Sequence, residues 1–383
     1  MEDNRNGSQQ SQEEEARVYN RLKRRISYAE MGLGLAFLIV LLVTGLTFFF
    51  RDIAVGLAPH PFWHVLIYFL ILAGIFELIT LPLTIYSGFV VERRFDLLRQ
   101  SGAAWVWDYV KGILLSLVLG GLAVELLYLL MRLAGNWWWL PAGVAFALCF
   151  VLLAQLTPVL ILPLFFKFKP LADEDLSARL TALCERTGAR VRGIYEWGLS
   201  SKTRRVNAAL VGWGPTRRVI LSDNLVKDFA SLEVEVILAH ELGHQRLRHM
   251  PQLLMVQIAL TFIAFALADL IFRALGSTLG LKVLDDVAGL PLLVLVFALV
   301  GLLALPLVNL LSRRLEQAAD RFALKSTGLS DHFISAMERL SSLNLSESDP
   351  HPVIEFLFLS HPSPARRIQA ARDFLSDEQG RVG

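Results

Sequence analysis

Six long apolar stretches constrain this chain more than any other feature: 31–50, 63–86, 112–131, 140–163, 252–272 and 290–311. A helix of about twenty residues crosses a hydrocarbon core of roughly 30 Å. Inside hydrocarbon every backbone N–H and C=O must be satisfied within the chain, so each stretch is predicted to be a helix. The expected fold class is a mainly α-helical polytopic membrane protein with about six spans. A mean hydropathy of +0.50 and 54% hydrophobic residues agree with this. Pro82, Pro158 and Pro306 fall inside spans and predict kinks.

The spans divide the chain. Residues 1–28 open with the polar "MEDNRNGSQQSQEEE" and continue through Arg17, Arg21, Lys23, Arg24 and Arg25. Composition predicts a disordered basic tail leading into a retained signal anchor. Residues 29–166 hold four spans, 167–250 face water, 251–311 hold two further spans and 312–383 face water again. Arg93, Arg94, Arg99, Lys167, Lys169, Arg313 and Arg314 collect on one side of the membrane. That side is expected to be cytoplasmic, with both termini and both water-facing parts on it. The membrane is then a bacterial inner membrane or, alternatively, the endoplasmic reticulum. A net charge of +2 gives no field for nucleic acid. Cys149 and Cys184 imply no disulfide framework.

Chemistry concentrates in "VEVILAHELGHQRLRHM", residues 234–250. A helix capped by Ser231 carries His240 and His244 one turn apart on one face, within reach of one metal ion. Glu241 is rotated by about 100° from His240, poorly placed to ligate but well placed to hold an attacking water. A third ligand is offered by Glu316 in "NLLSRRLEQAADRFAL", residues 309–324. Asp320 shares its helical face and is expected to accept the N–H of a ligating histidine. The competing reading makes Glu316 and Asp320 exposed acids beside Arg313, Arg314 and Arg321. The span count places His240, His244 and Glu316 on the same side of the membrane.

Three short strands are predicted in "RVRGIYEW", "RRVNAALVGW" and "RRVILSD", the last two joined as a hairpin through "GPT" at 214–216. Asn207 and Ala208 are candidates for an edge that pairs with an extended substrate, against an ordinary hairpin. Lys202, Arg204, Arg205, Arg217 and Arg218 flank that strand. They form either a basic face toward solvent or lipid headgroups, or a receiver for a substrate's C-terminal carboxylate. His361 is either a loop histidine before a helix starting at Pro364 or a donor to an oxyanion near the metal. Glu77, Glu125, Gln155, Gln257 and Asp269 lie in or near spans and must face one another or a cavity.

"HELGH", then "EQAAD" after a span, then "HPSPARRI", resembles the integral-membrane zinc metallopeptidases. That family includes the type I CAAX prenyl proteases and the HtpX-type heat-shock proteases. "YSGFVVERRFDL" (86–97) and "LPLFFKFKPL" (162–171) are similar to the prenyl-protease branch. The resemblance implies a gluzincin-type zinc-protease domain with a small β-sheet. In it His240, His244 and Glu316 bind one zinc per chain and Glu241 is the general base. It further implies that Asn207 and His361 hold substrate or oxyanion, that Arg367 belongs to the substrate-binding group by supporting His361, and that His249 is structural. The implied partners are membrane lipids and a peptide or protein substrate, with or without a lipid at its C-terminus. The sequence departs from the family at Gln245, where Trp is common, and at Asp96, where the prenyl proteases have Gly. It also has six spans where the eukaryotic enzyme has seven. The alternatives are a quality-control protease of the heat-shock type and a non-catalytic zinc-bound scaffold or transporter. The intact Glu241 argues against the last pair, because a structural metal needs no base.

Overall fold

The computed structural model describes residues 2–212 and 217–382. Among these described residues, six helices are long and apolar enough to cross a membrane. They belong to α1 (Glu2–Val43), α3 (Pro61–Ile85), α4 (Gly102–Ala134), α5 (Trp139–Leu156), α9 (His249–Leu275) and α10 (Leu290–Thr327). A short apolar helix, α2 (Leu46–Leu57), follows α1. The first span therefore ends earlier than expected. The helix stops at Val43 because Gly45 takes a left-handed conformation, φ +73°, that side chains resist. Pro82 and Pro158 stand near π-helical turns at Tyr86–Val91 and Thr157–Ile161, while α10 runs on through Pro306.

A second correction concerns the expected tail, whose residues 2–28 are helical. Ala16, Tyr19 and Ile26 lie on one face of α1 and bury against Val91, Phe95, Leu97 and Leu345. Tyr19 donates to Glu92 at 2.7 Å, Lys23 pairs with Glu92 at 3.1 Å and Arg24 pairs with Glu347 at 2.5 Å. Sparse apolar residues at helical spacing, with partners supplied from elsewhere in the chain, outweigh the polar composition.

Tyr68, Tyr128, Trp138, Phe265 and Leu293 form the core of the membrane part. Two of the costly polar residues are tied there from helix to helix. Asp269 accepts from Trp138 Nε1 and from Arg273, each at 2.8 Å, and Tyr109 donates to Glu77.

The segments outside the long apolar helices share one core. Leu176, Leu180 and Leu183 of α6 (Glu174–Arg186) pack with Val234, Leu238 and Leu242 of α8 (Ser231–Arg246). Ala323 of α10 and Phe333 of α11 (Ser330–Asn344) complete it. Each fully buried leucine there contributes about 1.5–3 kcal/mol. Among the described residues the sheet has four strands in the order β1-β2-β4-β3: β1 (Phe168–Pro170), β2 (Ile194–Trp197), β3 (Ala208–Val211) and β4 (Arg218–Ser222). β2 and β4 run parallel, and the other pairs are antiparallel. β1 was not expected; it is three residues long and ends in Pro170, a composition confined to sheet edges. β3 and β4 pair as expected, while the turn at 213–216 lies outside the described residues. A short helix, α7 (Asp223–Asp228), joins β4 to α8, and α12 (Pro352–Phe358) and α13 (Pro364–Val382) end the chain.

The basic residues before β3 do not form a free face. Lys202 pairs with Asp108, Arg204 with Asp96 at 3.2 Å and Arg205 with Glu92 at 3.0 Å. Backbone bonds from Arg99 to Lys202 (2.9 Å) and from Arg204 to Leu97 (3.0 Å) reinforce them. Together they tether the sheet to the loop between α3 and α4.

Candidate active site

α8 carries His240, Glu241 and His244. Its first turn is held by Glu233, whose carboxylate accepts the Ala230 N–H at 2.9 Å, Ser335 Oγ at 2.6 Å and Arg339 at 3.0 Å. The cap is thus Ala230 with Glu233, and Ser231 is the first helical residue rather than the cap. Glu235 is buried between Arg179 and Arg186. α8 packs against α10 at Gly243: a Cβ there would stand 3.0 Å from Ala319 Cα. This close approach brings the two helices' functional side chains together.

The Nε2 atoms of His240 and His244 are 3.0 Å apart. Glu316 lies 3.3 Å from His240 and 3.4 Å from His244. One ligand atom from each of the three residues lies within 4.8 Å of the others. Ligand atoms about 2.0–2.1 Å from one zinc ion at tetrahedral angles would be roughly 3.3 Å apart. His240 Nδ1 contacts Asp320 at 2.8 Å and His244 Nδ1 contacts His249 Nδ1 at 3.0 Å. With protons on those two Nδ1 atoms, both Nε2 atoms present lone pairs to each other, an arrangement that needs a cation between them. Glu316 Oε2 is buried without a hydrogen-bond partner. Both observations fit a metal ion held by these three residues.

Asp320 also accepts two bonds from Arg367, at 2.8 and 2.6 Å. Arg367 Nη2 stands 3.4 Å from His240 Nδ1. Arg367, expected to bind substrate or brace His361, thus has its buried guanidinium committed to Asp320 and lies beside His240. The pairing was not legible because 47 residues separate the partners. His361 approaches the cluster independently, with Nε2 3.3 Å from Glu316 Oε1. Its loop is held by α10: Arg313 donates to the carbonyls of Glu355 (2.7 Å) and Leu359 (2.6 Å), and Asn309 donates to Leu357 (2.8 Å).

Burial works against the charge on His240, yet its bond to Asp320 and the nearby carboxylate of Glu316 prevail and hold it up at about 9 in the metal-free chain. His244 goes the other way, to about 4, through burial and then the charge of His240. Burial raises Glu241, opposed by His240 and Arg367. Such a carboxylate is a better proton acceptor than an ordinary one.

A cavity of about 520 Å³ opens over these groups. Asn207 and Ala208 lie in its wall with His240, Glu241, Glu316 and His361. β3 is an edge strand, and it brings Ala208 to this cavity. The sequence did not reveal that α1 also lines the cavity, through Asn20 and Arg24.

Comparison with known proteins follows the same division of the chain. Residues 5–167 match the model for the CAAX prenyl protease N-terminal region with five membrane helices, and residues 170–375 match Peptidase family M48. The metalloprotease YhfN of Bacillus subtilis (strain 168) is 28% identical over 360 residues, covering 93% of this chain and 84% of that one. CAAX prenyl protease 1 of Saccharomyces cerevisiae is 28% identical over 332 residues, covering 81% and 72%. The crystal structure of Ste24p from S. mikatae superposes with a TM-score of 0.85 at 25% identity, over 94% of this chain and 89% of that one. The matched family models, the shared fold and the His-His-Glu cluster lead to one assignment: the chain belongs to peptidase family M48 and is a membrane metallopeptidase similar to the CAAX prenyl proteases.

Proposed function

We propose that this protein is a zinc endopeptidase acting at the cytoplasmic face of a bacterial inner membrane or of the endoplasmic reticulum. Its substrate is a peptide lipidated near its C-terminus. The observation that carries the reading is the convergence of His240, His244 and Glu316 beside Glu241 in one cavity. His240, His244 and Glu316 would hold one zinc per chain, which when bound would supply Lewis acidity for a water and for a peptide carbonyl. Asp320 accepts the Nδ1–H of His240 and so leaves Nε2 free to ligate; Arg367 holds Asp320 in place. The His244–His249 contact does the same for His244. Glu241 accepts the proton of the attacking water and passes it to the leaving amine. His361 donates to the carbonyl oxygen as that oxygen gains charge. The free edge of β3 at Ala208 and Leu210 aligns the substrate in extended form. The peptidase part comprises residues 167–250 and 312–383, and the spans hold it at the membrane where a lipid chain resides.

Two peptides of identical sequence, one farnesylated near its C-terminus and one unmodified, test the substrate class. The expected result is a clear rise in kcat/KM for the lipidated peptide, because remote binding energy positions the scissile bond. Equal rates would remove the lipid requirement and leave a quality-control peptidase.

A further inference from the structure

Among the described residues, β3 has one edge on β4 and one edge that no strand pairs. Asn207 faces β4: its C=O accepts the Ser222 N–H at 2.9 Å and its N–H donates to Ser222 Oγ at 3.0 Å. Strand alternation then turns the N–H and C=O of Val206 and Ala208 toward the free edge. At Val206 that edge is already taken. The Asn344 side chain accepts the Val206 N–H at 3.0 Å and donates to the Val206 C=O at 3.3 Å. A peptide laid antiparallel on the free edge therefore pairs from Ala208 onward. Its C-terminal end meets Asn344 and points toward Arg205.

A second cavity, of about 610 Å³, opens at that end. It shares Asn20, Val206, Asn207, Asn344 and Ser346 with the first, so the two adjoin along these residues. Lys23, Arg205 and Trp197 stand in its wall. Lys23 and Arg205 share the single carboxylate of Glu92, at 3.1 and 3.0 Å, which leaves one positive charge in excess. Arg205 Nε and Trp197 Nε1 are both buried without a hydrogen-bond partner. Unused buried donors are costly, and together with surplus positive charge they match an anion.

We propose that this second cavity receives the α-carboxylate of the peptide substrate, with Arg205 Nε and Trp197 Nε1 donating to it. The inference rests on the reading of the chain as an endopeptidase that cuts peptides near a lipidated C-terminus. It makes Arg205 and Trp197 specificity-determining residues and fixes how far from the C-terminus the chain is cut.

The test uses the zinc-loaded full chain in nonionic detergent, which excludes lipid phosphate as the anion. Each peptide is prepared as free acid and as C-terminal amide, both farnesylated and unmodified. Wild-type protein is expected to favour the acid by about tenfold in kcat/KM. Arg205→Gln and Trp197→Phe should each bring that ratio toward one, largely through KM. A purely structural role would lower acid and amide rates equally and keep the ratio, which would overturn the proposal. So would a wild-type enzyme indifferent to amidation. If the acid preference stands while farnesylation has no effect, the carboxylate site survives and the lipid reading fails.

Discussion

Asp320 decides which nitrogen of His240 is free, and Arg367 decides where Asp320 stands. Removing that support by Arg367→Leu is expected to weaken zinc affinity by roughly 10- to 100-fold, measured by competition with a chelator. Unchanged affinity would show that Arg367 serves something else. The histidines also set how the zinc-free protein responds to pH. His240 is raised from 6.5 to about 9, so its stabilisation is present below pH 6.5 and lost as pH rises toward 9. His244 is depressed to about 4, so its contribution is present above pH 6.5 and lost as pH falls toward 4. The Tm of zinc-stripped protein should therefore fall on both sides of pH 6.5, and a Tm that rose steadily to pH 9 would contradict this. His240, Glu241 and His244 were legible because their relation lies within one helix turn. The Arg367–Asp320 bond was not, since no periodicity links residues on separate helices.

The packing of α8 on α10 converts two sequence motifs into one site. Gly243 permits it, as an added Cβ would meet Ala319 Cα at 3.0 Å and its carbonyl at 3.2 Å. Gly243→Ala is expected to cost about 1–3 kcal/mol through overpacking and to lower zinc content by separating Glu316 from the histidines. Thermal unfolding and metal analysis of the purified variant check both, and full zinc occupancy would show that the helices adapt. Apolar period revealed the spans, and alternation revealed β2, β3 and β4. It did not reveal α1 before residue 28, whose buried side chains among those described are Ala16, Tyr19 and Ile26. Nor did it reveal β1, which exists because Phe168–Pro170 pairs with Ile194–Trp197 rather than through any pattern of its own.

At the scale of the whole molecule, ion pairs from Lys202, Arg204 and Arg205 to Asp108, Asp96 and Glu92 join the sheet to the membrane part. Charge clustering in the sequence located these residues but not their partners, which lie about a hundred positions away. The proposed orientation predicts that single cysteines at Leu57 and Ser277 react with an impermeant maleimide from outside intact cells, while one at Ser201 does not. Cys149→Ser provides the background, and the native Cys184 thiol, buried and pushed up to about 11, stays inert. Labelling of residue 201 from outside would invert the orientation. The central claim is hydrolysis by zinc with Glu241 as base, and one variant tests it most directly. Purified full-length Glu241→Gln should hold about one zinc per chain, as wild type does, and cleave peptides at least about a hundredfold more slowly. A Glu241→Gln protein with full zinc and wild-type turnover would contradict the account.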